Sequence, residues 1–309
     1  MEKQNIFYLR NSEIDKAKWD KCIQESPNGI IYSRSFFLDA MSRHWDALVM
    51  NDYEMVMPLT WNKKYGIHYL YQPPFIRFSG IFGNIKDELV DLFLQAIPKH
   101  FKYWDIDIKE NILDPQKIIL KDIQFKKRRN FLLDLNRKYS EINKEYKRLA
   151  TRMLKKSIEN NIEIITNCEP AEVINFYKKN YKLKQQNISS EDYERLADTT
   201  SFAFKNGNAV TYLAKKAGKV IAAYMILKDE KFIYSLIGGS NEAGKECGAF
   251  YLLTDAAIKD HAENSRTFRF EGSDIKGIAS FNSQFNPVPI DYYHLKLNQL
   301  PWPAKLLKR

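Results

Sequence analysis

The sequence predicts an α+β fold built as two similar units in tandem. Three observations carry this. A meander of three strands followed by a glycine-bearing loop, a helix and a returning strand occurs in each half. The interval from the first strand to the last is the same, 103 − 45 = 58 in one half and 267 − 209 = 58 in the other. With 309 residues, each half also has enough chain to bury a core of its own. The residue identities differ between the halves, so the repeat is one of element order.

Taken in order, Ser12-Glu13-Ile14-Asp15 reads as a helix N-cap, and the helix behind it carries Ile14, Ala17, Trp19 and Ile23 until Pro27-Asn28-Gly29 stops it. A short helix near Ser33–Met41 leads into the first meander, Trp45–Met50, Tyr53–Trp61 and Gly66–Tyr71, with Asn51-Asp52 as a hairpin turn. Gln72-Pro73-Pro74 breaks the third strand and opens a loop through Gly80 to Gly83. Helix Lys86–Ile97, strand Tyr103–Ile108 and a hairpin ending at Asn130–Leu135 complete the first unit. Ser140–Asn160 reads as the longest helix, with an apolar stripe of Ile142, Tyr146, Leu149, Met153 and Ile158. Lys147, Arg148, Arg152, Lys155 and Lys156 load its other faces. Strand Ile162–Thr166 follows, and the junction is expected near residue 138, giving units 1–138 and 139–309, with the last strand able to pack with the first unit. Next come helices Pro170–Asn180 and Ser189–Phe204, the second with serine caps and Glu191 and Asp192 in its first turn. The second meander is Ala209–Lys215, Lys219–Leu227 and Lys231–Ile237, ending in Gly238-Gly239. A helix opens near Gly248, and the strand Thr267–Glu271 returns.

Composition excludes several classes. The chain holds 18 Tyr, 19 Phe and 5 Trp, too many for a disordered chain. No apolar run approaches a bilayer span, and Met1–Arg10 lacks the apolar core of a signal peptide, so a cytoplasmic protein is expected. Cys22, Cys168 and Cys247 are far apart and read as reduced thiols. Neither they nor the five histidines show metal-ligand spacing, so no metal is expected. The net charge of +10 gathers at Lys121–Arg129, along Arg137–Lys156 and at Lys305–Arg309. It marks either a solvated basic surface or attraction of a phosphorylated partner such as a nucleotide cofactor, a nucleotide-linked sugar or tRNA.

The loop from Gly238 and Gly239 through Gly244, Lys245, Cys247, Gly248 and Ala249 joins a strand to a helix. Its glycines let backbone amides converge at a helix N-terminus, which suits a pyrophosphate; a strand-to-helix turn that simply needs glycine explains them equally. The element order is similar to the GNAT acyltransferase core, whose cofactor loop reads Arg/Gln-x-x-Gly-x-Gly/Ala. Asn241–Ala249 is the nearest match, without the leading Arg/Gln and with extra residues between glycines. Phe268-Arg269-Phe270-Glu271-Gly272-Ser273, Ile275-Lys276-Gly277-Ile278, Phe281, Phe285 and Pro289-Ile290-Asp291-Tyr292-Tyr293 resemble the closing segment of the FemX-like tandem GNAT proteins. Asn28–Phe36, with Arg34, resembles their early helix entry, and Lys147–Lys156 before Ile162–Thr166 resembles their second-domain opening. The likeness runs in order over nearly the whole chain.

That resemblance implies acyl transfer. The group contains peptidoglycan peptidyltransferases that use aminoacyl-tRNA, and relatives that move acyl groups from CoA to amines. The peptidyltransferases typically have Phe-Lys ahead of Phe-Gly; here Phe281-Asn282 precedes Phe285-Asn286, and the coiled-coil arm of some members is lacking. The leading expectation is therefore an acyl-CoA-type N-acyltransferase, the first unit binding a small-molecule or nucleotide-linked amine acceptor and the second the donor. The alternatives are aminoacyl-tRNA-dependent peptidyl transfer to a cell-wall precursor, and a non-catalytic basic protein that binds nucleic acid or nucleotide-linked precursors. An RNA binder should interleave aromatics with its basic clusters, and Lys121–Arg129 holds only Phe125.

Within this frame Glu271 is a general base or amine-binding carboxylate, or else a cap on the Gly272-Ser273 turn. Tyr292 and Tyr293 are candidates for a proton donor to the leaving group, or pack in the core, and strand alternation buries one of them. Lys276 would pair with an anionic group at the cleft, or is an ordinary solvated lysine. Arg152 and Lys156, four apart on a helix, would hold phosphate or form an ordinary polar face. Cys247 reads as a buried thiol.

Overall fold

The computed structural model describes residues 5–110, 112–181, 188–302 and 305. It divides into two compact units. One contains the described residues up to Arg128 together with those from Asp291 onward, and the other runs from Arg129 to Ile290. The break thus falls before the junction expected near 138, and the C-terminal strand groups with the first unit.

The first unit opens with β1 (Ile6–Leu9) and helix α1 (Lys16–Glu25). Asp15, not Ser12, is the N-cap of α1, because its carboxylate accepts from the amides of Ala17 and Lys18, each at 3.1 Å. Such a cap stabilises a helix by about 1 kcal/mol. Trp19, Cys22 and Ile23 form its buried face. At Gly29 a Cβ would lie 1.8 Å from the Ile23 carbonyl oxygen, so only glycine allows the chain to double back there. Helix α2 (Ser35–Met41) precedes the meander β2 (His44–Met50), β3 (Met55–Lys64) and β4 (Ile67–Tyr71). The short β5 (Phe82–Gly83), helix α3 (Asp87–Ala96) and β6 (Phe101–Ile108) follow. The strands are ordered β1-β2-β3-β4-β6, with β5 beside β3. β4 and β6 are parallel. The expected hairpin partner of β6 is replaced by the C-terminal strand, which pairs antiparallel with it from Tyr293↔Ile108 to Asn298↔Tyr103. Phe93, Leu94, Trp104, Ile106 and Leu295 lie in the core between α3 and the sheet.

β7 (Ile123–Asp134) runs across the division into the second unit. The single helix expected over Ser140–Asn160 is two, α4 (Tyr139–Lys144) and α5 (Arg148–Glu159). Its break has a tertiary cause: the Lys147 amide donates to the Gln284 carbonyl at 2.8 Å, and the Tyr146 ring packs edge-on against Phe285. β8 (Glu163–Thr166), α6 (Pro170–Tyr181) and α7 (Ser190–Lys205) come next. The Ser189–Asp192 capping box at the start of α7 matches the sequence signal. The second meander is β9 (Ala209–Lys216), β10 (Lys219–Lys228) and β11 (Phe232–Ser240). Then come α8 (Glu242–Glu246), α9 (Ala249–His261), β12 (Thr267–Arg269) and α10 (Lys276–Asn282), before the C-terminal β13 (Val288–Asn298). In this unit the order is β7-β12-β11-β10-β9-β8, with β11 and β12 parallel. Both units therefore share one plan, an antiparallel meander whose third strand is followed by a helix and a parallel partner. This is the α+β tandem architecture the sequence predicts.

Candidate functional site

Two parallel strands that separate leave backbone groups unpaired along their inner edges. In the second unit β11 pairs with β12 only over Phe232–Tyr234 and Thr267–Arg269. β11 then continues to Ser240 while the other chain turns away at Glu271 and Gly272, whose φ angles are 52° and 65°. A register shift between Met225 and Ile226 of β10 adds to the splay. The Asn241 amide bonds to Ile221 O at 3.0 Å, and Ala223 lies opposite Gly239. Antiparallel alternation then directs the N–H and C=O of Gly238 and Ser240 away from β10, toward the gap.

The corresponding gap of the first unit is closed by its own chain. Ser79, from the loop after β4, donates its amide to Asp107 O at 2.7 Å and accepts from the Lys109 amide at 3.0 Å. It thus forms a parallel bridge with Ile108. In the second unit's splay Ser240 is met by the Tyr181 hydroxyl, and Gly238 is the β11 residue whose outward N–H and C=O no residue bridges among the described residues.

The glycine segment is strand and helix more than loop. Gly238 and Gly239 lie inside β11, and α8 occupies most of what the sequence presents as loop. The Gly244 amide donates to Asn241 Oδ1, that of Lys245 to Asn241 O, and that of Gly248 to Lys245 O. Each glycine is needed by the protein's own packing. A Cβ on Gly238 would meet Tyr224 at 2.6 Å, one on Gly244 the Ile221 carbonyl oxygen at 2.2 Å, and one on Gly248 the Met153 carbonyl oxygen at 2.6 Å. Gly248 also takes a φ of 76° as N-cap of α9. Ala249 is buried, and Lys245 is exposed and paired with Glu242. The amides of the first turn of α9, behind its N-cap Gly248, are the part of this segment that faces an anion most directly.

Glu271 faces inward. Its carboxylate accepts from Arg269 Nε at 2.9 Å and from Asn130 Nδ2 at 3.1 Å, and both partners are buried. The Arg269–Glu271 pair has side-chain exposures of 0% and 1%. Asn282 donates to Glu271 O at 3.2 Å and Ser273 Oγ at 2.9 Å. This network holds the turn at which β12 leaves β11.

The remaining candidates divide between the two units. Tyr292 and Tyr293 belong to the first unit, the former buried edge-on against Phe78 and the latter beside Phe125. Arg34, half-buried in the same unit, is the N-cap residue of α2. Arg152 and Lys156 are exposed on α5 of the second unit, and Lys276 is exposed at the start of α10. In the basic segment, Lys127 pairs with Asp291 and Arg128 with Asp107. Among Lys305–Arg309 only Lys305 lies within the described residues. Cys247 is buried and its Sγ contacts the Ala243 carbonyl. No group of histidine, cysteine or acidic residues suited to a metal occurs among the described residues.

Two constellations escape sequence reading. His294 places Nδ1 2.9 Å from Asp107 Oδ1 and Nε2 3.3 Å from Asp105 Oδ1, while Arg128 donates to both Asp107 oxygens. The alternation of Asp105 and Asp107 on β6 is its only trace in the sequence. Tyr181, the last residue of α6, has its hydroxyl 3.0 Å from the Ser240 amide and 2.8 Å from the Ser240 carbonyl.

No family model matches the chain, and no curated protein matches its sequence. Solved structures do. FemX superimposes with a TM-score of 0.62 at 10% identity, covering 98% of this chain and 99% of that one. L-PGS from Bacillus licheniformis gives 0.54 at 13% identity, covering 95% of each chain. A tandem GNAT protein from the clavulanic acid biosynthesis pathway gives 0.51 at 9%, covering 96% and 99%. At these identities the likeness establishes the fold, which is FemX-like and of tandem GNAT type.

Proposed function

We propose that this chain transfers an acyl group from an activated ester to an amine, with the donor's acyl end lodged on the open edge of β11. The observation that carries this is the contrast between two units of one plan, of which the second leaves its splay open at Gly238 while Ser79 fills the first. An ester carbonyl beside Gly238 would meet a backbone N–H directed into the gap. Such a preorganised donor stabilises the oxyanion that develops as the amine attacks. The carbon–nitrogen bond forms and the acyl–oxygen bond breaks, and the proton lost by the amine ends on the departing ribose oxygen, which leaves as a hydroxyl.

The carrier favoured by the geometry is an RNA whose terminal ribose holds the aminoacyl ester. Its phosphates would not need the glycine loop, and α5 with its N-cap residue offers exposed Lys147, Arg148, Arg152, Lys155 and Lys156. Acyl-CoA, the leading carrier on sequence grounds, would need amides that Asn241 and Lys245 already hold.

The test is to incubate the purified chain with labelled aminoacyl-tRNA pools or labelled acetyl-CoA and a panel of amine acceptors. Protein-dependent transfer from the charged RNA, with acetyl-CoA at background, is expected. Transfer from acetyl-CoA alone would overturn the choice of carrier. Transfer from neither would overturn acyl transfer and leave a binding protein. A carrier at 100 times its dissociation constant should also stabilise the fold by about 2.7 kcal/mol, visible as a melting shift.

A further inference from the structure

We infer that Tyr181 closes the far end of the β11 edge and so limits how much of a donor can lie along it. The inference rests on the donor site proposed above, but it concerns which carriers that site refuses. A hydroxyl that accepts from an N–H and donates to the C=O of the same residue makes the two bonds that an added strand would make there. Tyr181 does this to Ser240, with Oη 3.0 Å from the amide nitrogen and 2.8 Å from the carbonyl oxygen. The ring is seated by the absence of a side chain at Gly239, where a Cβ would lie 2.3 Å from Oη and 2.5 Å from Cζ. It is braced from behind by Tyr177, one helical turn earlier, stacked at 5.2 Å with an interplanar angle of 21°. Gly239 therefore serves a tyrosine and not a phosphate.

The consequence is selectivity. Gly238 remains able to receive one peptide-like group, but the next position along the edge is taken. A carrier with an extended amide-bearing arm, such as the pantetheine of CoA, must stop short of Ser240 or displace the phenol. A carrier that enters by its acyl end alone meets no such obstacle.

The experiment compares the full chain with Tyr181→Ala and Tyr181→Phe, titrating each with pantetheine and with acetyl-CoA. Amide hydrogen exchange at Ser240 is measured in parallel, and thermal melts confirm folding. The wild type should show a protected Ser240 amide and weak pantetheine binding. Tyr181→Ala should bind pantetheine at least about tenfold more tightly. Tyr181→Phe should expose the Ser240 amide while its ring still blocks the ligand. Equal pantetheine affinity in wild type and Tyr181→Ala, or an unprotected Ser240 amide in the wild type, overturns the inference. The wild-type exchange result stands even if a variant fails to fold. Transfer from charged RNA with no gain in Tyr181→Ala would sink this inference alone; a gain without any transfer would sink the proposed reaction alone.

Discussion

At Glu271 a chemical role and a structural one compete. A carboxylate at the end of a returning strand suits a general base, yet here it neutralises Arg269, whose side chain is fully buried. Removing one partner of such a pair typically costs about 3–5 kcal/mol, because the other charge is left without compensation. Glu271→Gln is accordingly expected to melt much earlier than the wild type, and to lose transfer in proportion to the unfolded fraction. Normal stability with transfer reduced about 10²–10⁴-fold would instead make Glu271 an acid–base group. The sequence places the strand correctly but does not announce the arginine as a buried partner. Arg269 reads as one more cation on a basic chain, and Asn130 lies far from both in sequence. The glycines are similarly half-legible: their need for close approach is visible, but what approaches is not. Tyr181, Tyr224 and Met153 supply the answer, and only folding brings them there.

Local periodicity made most elements readable, and its failures have tertiary causes. The stripe from Ile142 to Ile158 is continuous in sequence, but Lys147 bonds to Gln284 and divides it into α4 and α5. The divided helix brings Tyr139 to Asp255 of α9, its hydroxyl 2.9 Å from each carboxylate oxygen. Burial raises the Asp255 carboxyl above its ordinary range, more than the bond from Tyr139 lowers it. A raised native value means that the folded state holds this proton more tightly than the unfolded chain. The associated stability is present below the ordinary carboxylate pKa and is lost as pH rises through the native value. Asp255→Asn should therefore match the wild-type melting temperature in acid and exceed it progressively toward neutrality. A constant offset across pH 4–8 would show that Asp255 is not the group responsible.

For the whole molecule, a net charge of +10 makes association with a polyanion strongly dependent on salt. If Arg152 and Lys156 each neutralise one RNA phosphate, the double alanine variant should bind charged RNA more weakly. Its log–log salt dependence should be shallower by roughly 1.4–1.8, the range for single and double strands. An unchanged slope would remove α5 from the interface. The tandem plan was legible because a 58-residue interval recurs, and because element order survives where residue identity does not. The open splay was not legible, since both halves carry glycines after the third strand. What distinguishes them is a single bridging residue, Ser79, in one half and a tyrosine from a preceding helix in the other.

The first unit's β6 has the C-terminal strand as its antiparallel neighbour, and this has a temporal consequence. As the chain is synthesised, β6 emerges long before residues 293–298, and every residue of the second unit is made in between. During that interval β6 presents an unpaired edge, the condition under which strands recruit the wrong partner. The meander of the second unit, β9, β10 and β11, has its strand partners within Arg129–Ile290, a continuous stretch of chain. A chain halted after residue 290 is therefore expected to protect the amides of β9, β10 and β11 from exchange while leaving the outer amides of β6 open. Equal protection of both sets would mean that the nascent first unit finishes without its final strand.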